Sequence, residues 1–134
     1  MSVARHLTPE AGWIFRITHR DNVPWILDHG LHCSTSLTRD PDFVTIGNQE
    51  LIDKRSERIV PTPPGGRLGD YIPFYITPFS PMFFKIHTGH GGIQRRSNTE
   101  IVILRSSLDL LGIHAVRFLI SDRHAFPRGR PFLE

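Results

Sequence analysis

Residues 63–90, PPGGRLGDYIPFYITPFSPMFFKIHTGH, restrict the possible folds of this chain more than any other segment. They start with a Gly-Gly turn and continue into two aromatic-rich runs, 71–77 and 82–87, which Pro78 and Pro81 separate. Aromatic runs bounded by proline and glycine are typical of strands or buried extended segments. The sequence therefore predicts turns and extended chain over this stretch.

Cationic and imidazole side chains surround the same block. Arg55, Arg58 and Arg67 lie before it or near its start, and His87 and His90 lie near its end. The planar guanidinium of arginine suits phosphate groups, carboxylates and stacking on flat rings. A solvent-facing hairpin does not need this combination, so we expect a cleft that binds a flat, anionic ligand.

Length, charge and cysteine content set broad limits on the chain. Its 134 residues are enough for one domain, and no segment approaches the length of a membrane span. The N-terminus has no apolar signal region and Cys33 is the single cysteine, so we expect a cytoplasmic location without a disulfide. The net charge is +3 and only Lys54 and Lys85 are lysines. This arginine-rich surface favours a phosphorylated partner, although a GC-rich genome would produce the same bias.

Periodicity and breaker residues predict an α+β domain with about five strands and two or three short helices. One helix should begin after Asp21 or Asn22 as its cap, with Pro24 in the first turn and Gly30 at the end. The other predicted elements are a strand at 13–19, a polar helix at 49–58, a buried strand at 100–105, a short helix at 106–112 and a strand at 116–122.

Common catalytic and metal-binding motifs are missing from the sequence. The pairs His29/His32 and His87/His90 have spacings that a metal could use, but neither lies beside a cysteine or carboxylate in register. Cys33 has no nucleophile signature around it, and no glycine-rich phosphate loop follows a strand. We therefore expect no metal site and look to arginine and aromatic chemistry instead.

Two tyrosines are the best polar aromatic candidates for this cleft. Tyr71 and Tyr75 share one face of a strand only if no bulge intervenes, since they are four residues apart. Their hydroxyls need a partner when they are buried. The neighbouring phenylalanines are better explained by core packing.

Three stretches resemble the DarT family of bacterial DNA ADP-ribosyltransferase toxins. They are ITHRDNVPWILDHGL, PPGGRLGDYIPFYITPFSPMFFKIHTG and FLISDRHA. The family patterns similar to them are I-T-H-x-D-N-L-x-x-I-L-x-x-G-L, a D-Y/H-V-P-F-Y segment before S-P-M-L-Y, and F-x-x-T-D-R/G-H/N-A. The three stretches keep their order and cover nearly all of residues 13–126.

This resemblance implies an ADP-ribosyltransferase-like fold with a mixed or antiparallel β core. It also implies transfer of ADP-ribose from NAD to thymidine in single-stranded DNA, through an oxocarbenium-like ribose. By residue, it implies that Thr18 and His19 lie on the first NAD-contacting strand, that Arg55 is the catalytically required arginine, and that Tyr75 and Met82 belong to the same pocket. Together with Tyr71, these are the candidate site residues. Residues 35–60 would form the loop and helix that cover NAD.

The sequence departs from the family pattern at two places. Arg16 stands where the family commonly has a histidine that contributes to the NAD ribose contact. The catalytic glutamate of the family lies in a downstream segment that Glu50, Glu57, Glu100 and Glu134 of this chain do not match. We therefore expect residues 1–134 to form one domain without the C-terminal part that carries this glutamate, to bind NAD through Arg55 and Arg16, and to show little or no transfer.

Two other functions stay open at this point. One is a non-catalytic module that binds nucleotides or nucleic acid, and the other is a relative of the RNA 2′-phosphotransferases, which share the fold. If the chain is a toxin, the resemblance implies single-stranded DNA as target and a macrodomain antitoxin as partner.

Overall fold

The structure of the chain is a computed structural model that describes residues 12–47, 49–77 and 96–121, together with the backbone of 132–133. The predicted strand at 82–87, and with it Met82, His87 and His90, lies outside these residues. Within them, short helices and antiparallel strands form an α+β arrangement, as predicted.

The first strand is the centre of the arrangement. Strand β1, Trp13–His19, pairs antiparallel with β2, Ile101–Ser107, from Trp13 opposite Ser107 to His19 opposite Ile101. On the other edge of β1, Phe15 and Tyr75 exchange both backbone hydrogen bonds at 2.7 Å. The segment that carries Tyr75 is thus held directly against β1. Of the two alternatives predicted for residues 71–77, a strand or a buried extended segment, the regular strand is not formed, because Tyr75 alone forms a bridge there.

The helix after β1 forms as the sequence predicts, but its cap does not. Residues 20–22 make a 3-10 turn, and α1, Val23–His29, carries a proline in its first turn and ends at Gly30 with φ of 81°. Positive φ favours glycine, which has no Cβ to clash. The side chain of Asn22 makes no capping hydrogen bond to α1, because it is engaged elsewhere.

Asn22 joins β1 to a distant loop. Its side chain is 1% exposed and donates from Nδ2 to Thr18 Oγ1 at 3.0 Å and to the Val44 carbonyl at 2.9 Å. Its Oδ1 accepts from the Val44 amide at 2.8 Å. One buried amide therefore satisfies both backbone groups of Val44 and fixes the loop that contains it.

A second helix and a tight turn follow this loop. Helix α2, Gln49–Ser56, ends two residues before the predicted boundary. Ile59 and Arg67 then pair as a β-bridge around a turn in which Gly65 and Gly66 have φ of 77° and 79°. The predicted Gly-Gly turn is confirmed. Its tightness is possible because glycine tolerates the left-handed region.

The C-terminal half adds one capped helix and a second strand pair. Helix α3, Leu108–Ile113, begins at Ser107, whose side-chain oxygen accepts from the Leu110 amide at 3.1 Å. Strand β3, Ile120–Ser121, pairs antiparallel with β4, Phe132–Leu133. The predicted strand over 116–122 is therefore shorter than expected.

Burial is more polar at the end of β1 than the sequence suggests. Among the described residues, the buried side chains are apolar at Ile14 and Val60 and polar at Thr18, His19, Asn22 and Ser107. The predicted burial of the strand at 100–105 is wrong, since Ile103 in β2 is 38% exposed. In the described part of the chain, no helix is long and apolar enough to cross a membrane.

We expect Asn22→Ala to lower the free energy of unfolding by about 2–4 kcal/mol, because it leaves buried partners in β1 and at Val44 without hydrogen bonds. Urea unfolding at neutral pH measures this loss. The control is Asn98→Ala, since Asn98 is exposed and should change stability by no more than about 0.5 kcal/mol. Equal effects of the two substitutions would contradict the proposed role of the amide.

Candidate functional site

A cavity of about 430 Å³ opens beside the middle of β1. Its wall is made of β1, α1 with the loop after it, α2, and the segment from 68 to 75. Loops and element ends converge here on a scaffold strand, which is the usual setting of a binding site. The volume lies within the range of about 300–1,000 Å³ that is typical of small-molecule sites.

Arg16 enters this cavity from β1. Strand periodicity places Arg16 and Thr18 on the same face, and both line the wall. The Nη1 of Arg16 donates to the Pro73 carbonyl at 3.0 Å, which ties β1 to the segment beside Tyr75. Burial lowers the pKa of Arg16, the charge of Arg55 lowers it further, and Tyr75 opposes this change.

Arg55 reaches the same cavity from the last turn of α2. A cation at this end of a helix is favoured by the helix dipole. Lys54, the preceding residue, does not line the cavity and pairs with Glu50 at 3.2 Å on the exposed surface. The helix thus presents one of two neighbouring cations to the cavity.

Tyr71 and Tyr75 also line the cavity, as the sequence predicted for a shared face. They do so without a regular strand between them. Tyr71 donates its hydroxyl to the Gly65 carbonyl at 2.6 Å, whereas Tyr75 is fixed through its backbone pairing with Phe15. The glycine turn and β1 therefore position the two rings independently.

The structure separates the two candidate residues at the end of β1. Thr18 lines the cavity, but its Oγ1 already accepts from Asn22. His19 does not line the cavity: its Nδ1 accepts from the Asp21 amide at 3.0 Å and its Nε2 lies 3.6 Å from Glu100 Oε2. A hydrogen bond from Arg96 lowers the pKa of Glu100, which keeps a carboxylate beside this imidazole.

The remaining predicted cations are not part of the wall. Arg58 and Arg67 lie on the turn after α2, where backbone hydrogen bonds involve both residues, and neither lines the cavity. His87, His90 and Met82 lie outside the described residues. No group of three or more histidines, cysteines or carboxylates that could hold a metal ion is found in the part of the chain that the structure describes.

Close contact at Gly69 joins α2 to the base of the cavity. A Cβ at this position would collide with Ser56 Oγ and would lie 3.0 Å from both Ser34 Oγ and the Ser56 carbonyl. The Gly69 carbonyl also accepts from Ser34 Oγ at 3.1 Å. The absence of a side chain at Gly69 thus allows α2, and with it Arg55, to approach the cavity.

A family model described as "ssDNA thymidine ADP-ribosyltransferase, DarT" matches residues 15–132. The chain belongs to the DarT family. The resemblance drawn from the three sequence stretches is confirmed, and the α+β ADP-ribosyltransferase-like fold with it.

Curated relatives are described as DNA ADP-ribosyl transferases. The chain is 55% identical over 120 residues to a DNA ADP-ribosyl transferase of Escherichia coli O127:H6 (strain E2348/69 / EPEC), covering 90% of this chain and 55% of that protein. It is 35% identical over 116 residues to a DNA ADP-ribosyl transferase of Thermus sp. (strain 2.9), covering 87% and 54%. The chain therefore spans little more than half the length of these relatives.

Solved structures of DarT from Thermus sp. 2.9 have the same fold. The complex with ADP-ribosylated single-stranded DNA matches with a TM-score of 0.83 at 32% identity, over 99% of this chain and 61% of that chain. The complex with NAD+ matches with a TM-score of 0.72 at 32% identity, over 93% of this chain and 58% of that chain.

Sequence reasoning missed Trp25, which adds a large aromatic ring to the cavity wall of this DarT-family chain. The ring of Trp25 stacks on His29 with centroids 4.4 Å apart and meets His32 edge-on at 5.0 Å. Trp25 and His32 line the cavity. The signal in the sequence is the spacing of four residues between Trp25 and His29, which brings the two rings together on one face of a helix.

Gly69→Ala should lower the free energy of unfolding by about 1–3 kcal/mol, because a methyl group overpacks the contact with Ser56. Gly112→Ala is the matched control, since nothing lies within 4 Å of its Cβ position and alanine favours the helix. Chemical denaturation of both variants gives the comparison. Adding Ser56→Ala to Gly69→Ala should recover part of the loss, and an unchanged loss would argue against the steric explanation.

Acid stability should depend on the contact between Thr35 and Asp70. Thr35 Oγ1 donates to Asp70 Oδ1 at 2.6 Å, and this bond, followed by that from the Arg67 amide, lowers the pKa of Asp70 below its ordinary 3.8. A lowered folded-state pKa stabilises the protein above pH 3.8, and the contribution is lost as pH falls through the folded-state value.

We therefore expect Thr35→Val to destabilise the protein near neutral pH, and the difference from the wild type to shrink as pH falls through the folded-state pKa of Asp70. Urea unfolding between pH 2 and pH 7 follows this difference. In an Asp70→Asn background, the effect of Thr35→Val should not depend on pH. If Thr35→Val lowered the free energy of unfolding equally at all pH values in the protein that keeps Asp70, the hydrogen bond would not be the cause of the lowered pKa.

Proposed function

We propose that this chain binds NAD in the cavity beside β1 and acts as part of a DNA ADP-ribosyltransferase. The observation that carries the proposal is the entry of two guanidinium groups, Arg16 and Arg55, into one cavity in a DarT-family fold. A solved relative with this fold has been captured with NAD+.

The residues of the cavity suit the parts of NAD. Arginines offer charge and paired donors for the phosphates, and Trp25, Tyr71 and Tyr75 offer rings for the nicotinamide or adenine. Arg55 is the proposed catalytic residue. The proposed binding residues are Arg16, Thr18, Tyr71 and Tyr75, together with Met82 outside the described part. His19 does not line the cavity, and its proposed role is to hold the end of β1 in position.

The proposed reaction moves ADP-ribose to a thymidine base. The bond between ribose C1′ and the nicotinamide nitrogen breaks, and nicotinamide leaves with the bonding electron pair. The base then forms a bond to C1′ and releases a proton to water. The binding site contributes by holding the diphosphate and the ring while positive charge develops on the ribose.

Single-stranded DNA is the proposed acceptor. Support comes from the Thermus structure that is described with ADP-ribosylated single-stranded DNA and from the net charge of +3 of this chain. Family membership further suggests a toxin in the cytoplasm that pairs with a macrodomain antitoxin, which would remove the modification.

A non-catalytic nucleotide-binding role is the second candidate. It is favoured by one observation: no glutamate of the described residues lines the cavity, whose acidic wall residues are Asp40 and Asp53. Both candidates predict NAD binding, and only the first predicts transfer. Mass spectrometry of a thymidine-containing oligonucleotide after incubation with NAD separates them, because transfer adds one ADP-ribose.

Arg55→Ala should weaken NAD binding by at least about tenfold, because it removes a charged hydrogen-bonding partner from the cavity. Isothermal titration calorimetry gives the affinity. Lys54→Ala is the matched control, since it removes the same charge one residue away on the exposed side of α2. An equal loss in both variants, or no NAD binding by the wild-type chain, would refute the proposed site.

A further inference from the structure

Two like charges share the cavity with little local compensation. Arg16 is partly buried in the middle of β1, and Arg55 is near enough for its charge to act on Arg16. Among the described residues, no carboxylate lies within ion-pair distance of either guanidinium. Bringing two partly desolvated cations together is unfavourable unless an anion joins them.

Among the described residues, the carboxylates of the cavity wall each accept a hydrogen bond from a neutral donor and make no ion pair with Arg16 or Arg55. Asp40 Oδ1 accepts from the Asp42 amide at 2.8 Å, and Asp53 Oδ1 accepts from Gln49 Nε2 at 2.8 Å. Arg39, the third arginine of the wall, donates to the Ser34 carbonyl. Burial, followed by the charge of Arg55, lowers the pKa of Arg16, and both side chains line the one cavity.

The described residues use only part of the donor capacity of Arg16. A guanidinium carries several N–H donors in a planar fork, and the Pro73 carbonyl accepts one hydrogen bond from Nη1. This bond fixes the group and lowers the entropy that a ligand contact would cost. Arg16 is thus anchored, and the described residues leave some of its N–H donors for a ligand, as expected for a preorganised anion-binding group.

We propose that Arg16 and Arg55 together form a diphosphate clamp, in which one bridging pyrophosphate group neutralises both guanidiniums. This inference rests on the proposed function, since NAD is the diphosphate that the site would take. It gives position 16 a phosphate-binding role in this chain, where the resemblance implied a ribose contact by histidine.

The chemistry of the two side chains explains the difference. A neutral imidazole offers one donor and one acceptor, which suits a ribose hydroxyl, whereas arginine is always charged and has no acceptor. Arginine matches phosphate oxygens through two parallel hydrogen bonds. A dianionic group is also the ligand that removes the repulsion between Arg16 and Arg55.

The competing explanation is that Arg16 only cross-links β1 to Pro73. A purely structural role would weaken all ligands together when Arg16 is changed. The clamp instead predicts a loss confined to ligands that carry phosphate, and this difference defines the experiment.

The test compares phosphate-bearing probes (NAD, ADP-ribose, inorganic pyrophosphate) with phosphate-free nicotinamide riboside by calorimetry. Arg16→Gln should weaken the first three by about 10- to 100-fold and leave nicotinamide riboside within about threefold. Arg16→Lys should recover part of the loss, because it keeps the charge without the fork. The control for the loss of one positive charge is Arg117→Gln, because Arg117 is exposed and does not line the cavity.

The outcomes separate this inference from the proposed function. If the wild-type chain does not bind NAD, the proposed function fails. If it binds NAD but Arg16→Gln binds pyrophosphate as the wild type does, or loses nicotinamide riboside equally, the clamp is refuted.

If Arg16→Gln does not fold, a measurement on the wild-type chain alone still tests the clamp. Pyrophosphate should raise the Tm of the wild-type chain more than chloride does at the same ionic strength, because it relieves the repulsion between the two arginines. A Tm that responds equally to the two salts would overturn the clamp.

Discussion

The buried amide of Asn22 is the interaction on which the cavity depends. The side chain of Asn22 bonds to both the amide and the carbonyl of Val44, and an apolar side chain in its place would leave both groups without this partner. The same amide bonds to Thr18, so β1 and the loop are held at one point. Trp25, three residues after Asn22, and Phe43, the residue before Val44, both line the cavity, so the amide joins two parts of its wall.

Local patterns predicted the elements whose causes are local. The alternation of apolar and polar residues predicted β1. A proline in the first turn and a glycine at the end predicted α1, and a serine before an apolar run predicted α3. The failures are non-local. Asn22 was expected to cap a helix, but its partner Val44 lies 22 residues further along the chain. The extended run at 71–77 bridges only at Tyr75, because pairing with β1 is decided by the fold and not by strand propensity.

The candidate site was predictable in its residue types and not in its arrangement. Arg55, Tyr71 and Tyr75 were identified from the sequence and do line one cavity. Strand periodicity alone places Thr18 and His19 on opposite faces of β1. The contact that His19 makes with Glu100 was not predictable in this way, because Glu100 lies 81 positions away in sequence and is brought close by the pairing of β1 with β2. Gly69 gave no signal, since the closeness of α2 that requires it is a property of the packed structure.

The position of Trp25 gives the cavity an optical reporter. The chain has two tryptophans: Trp25 lies in the wall, and Trp13 lies on β1 with the Arg105 guanidinium 4.3 Å above its ring. A ligand that displaces water from the wall changes the polarity around Trp25, whereas Trp13 keeps its surroundings. Fluorescence of a Trp13→Phe protein would then follow occupancy of the cavity directly, without a label and without turnover.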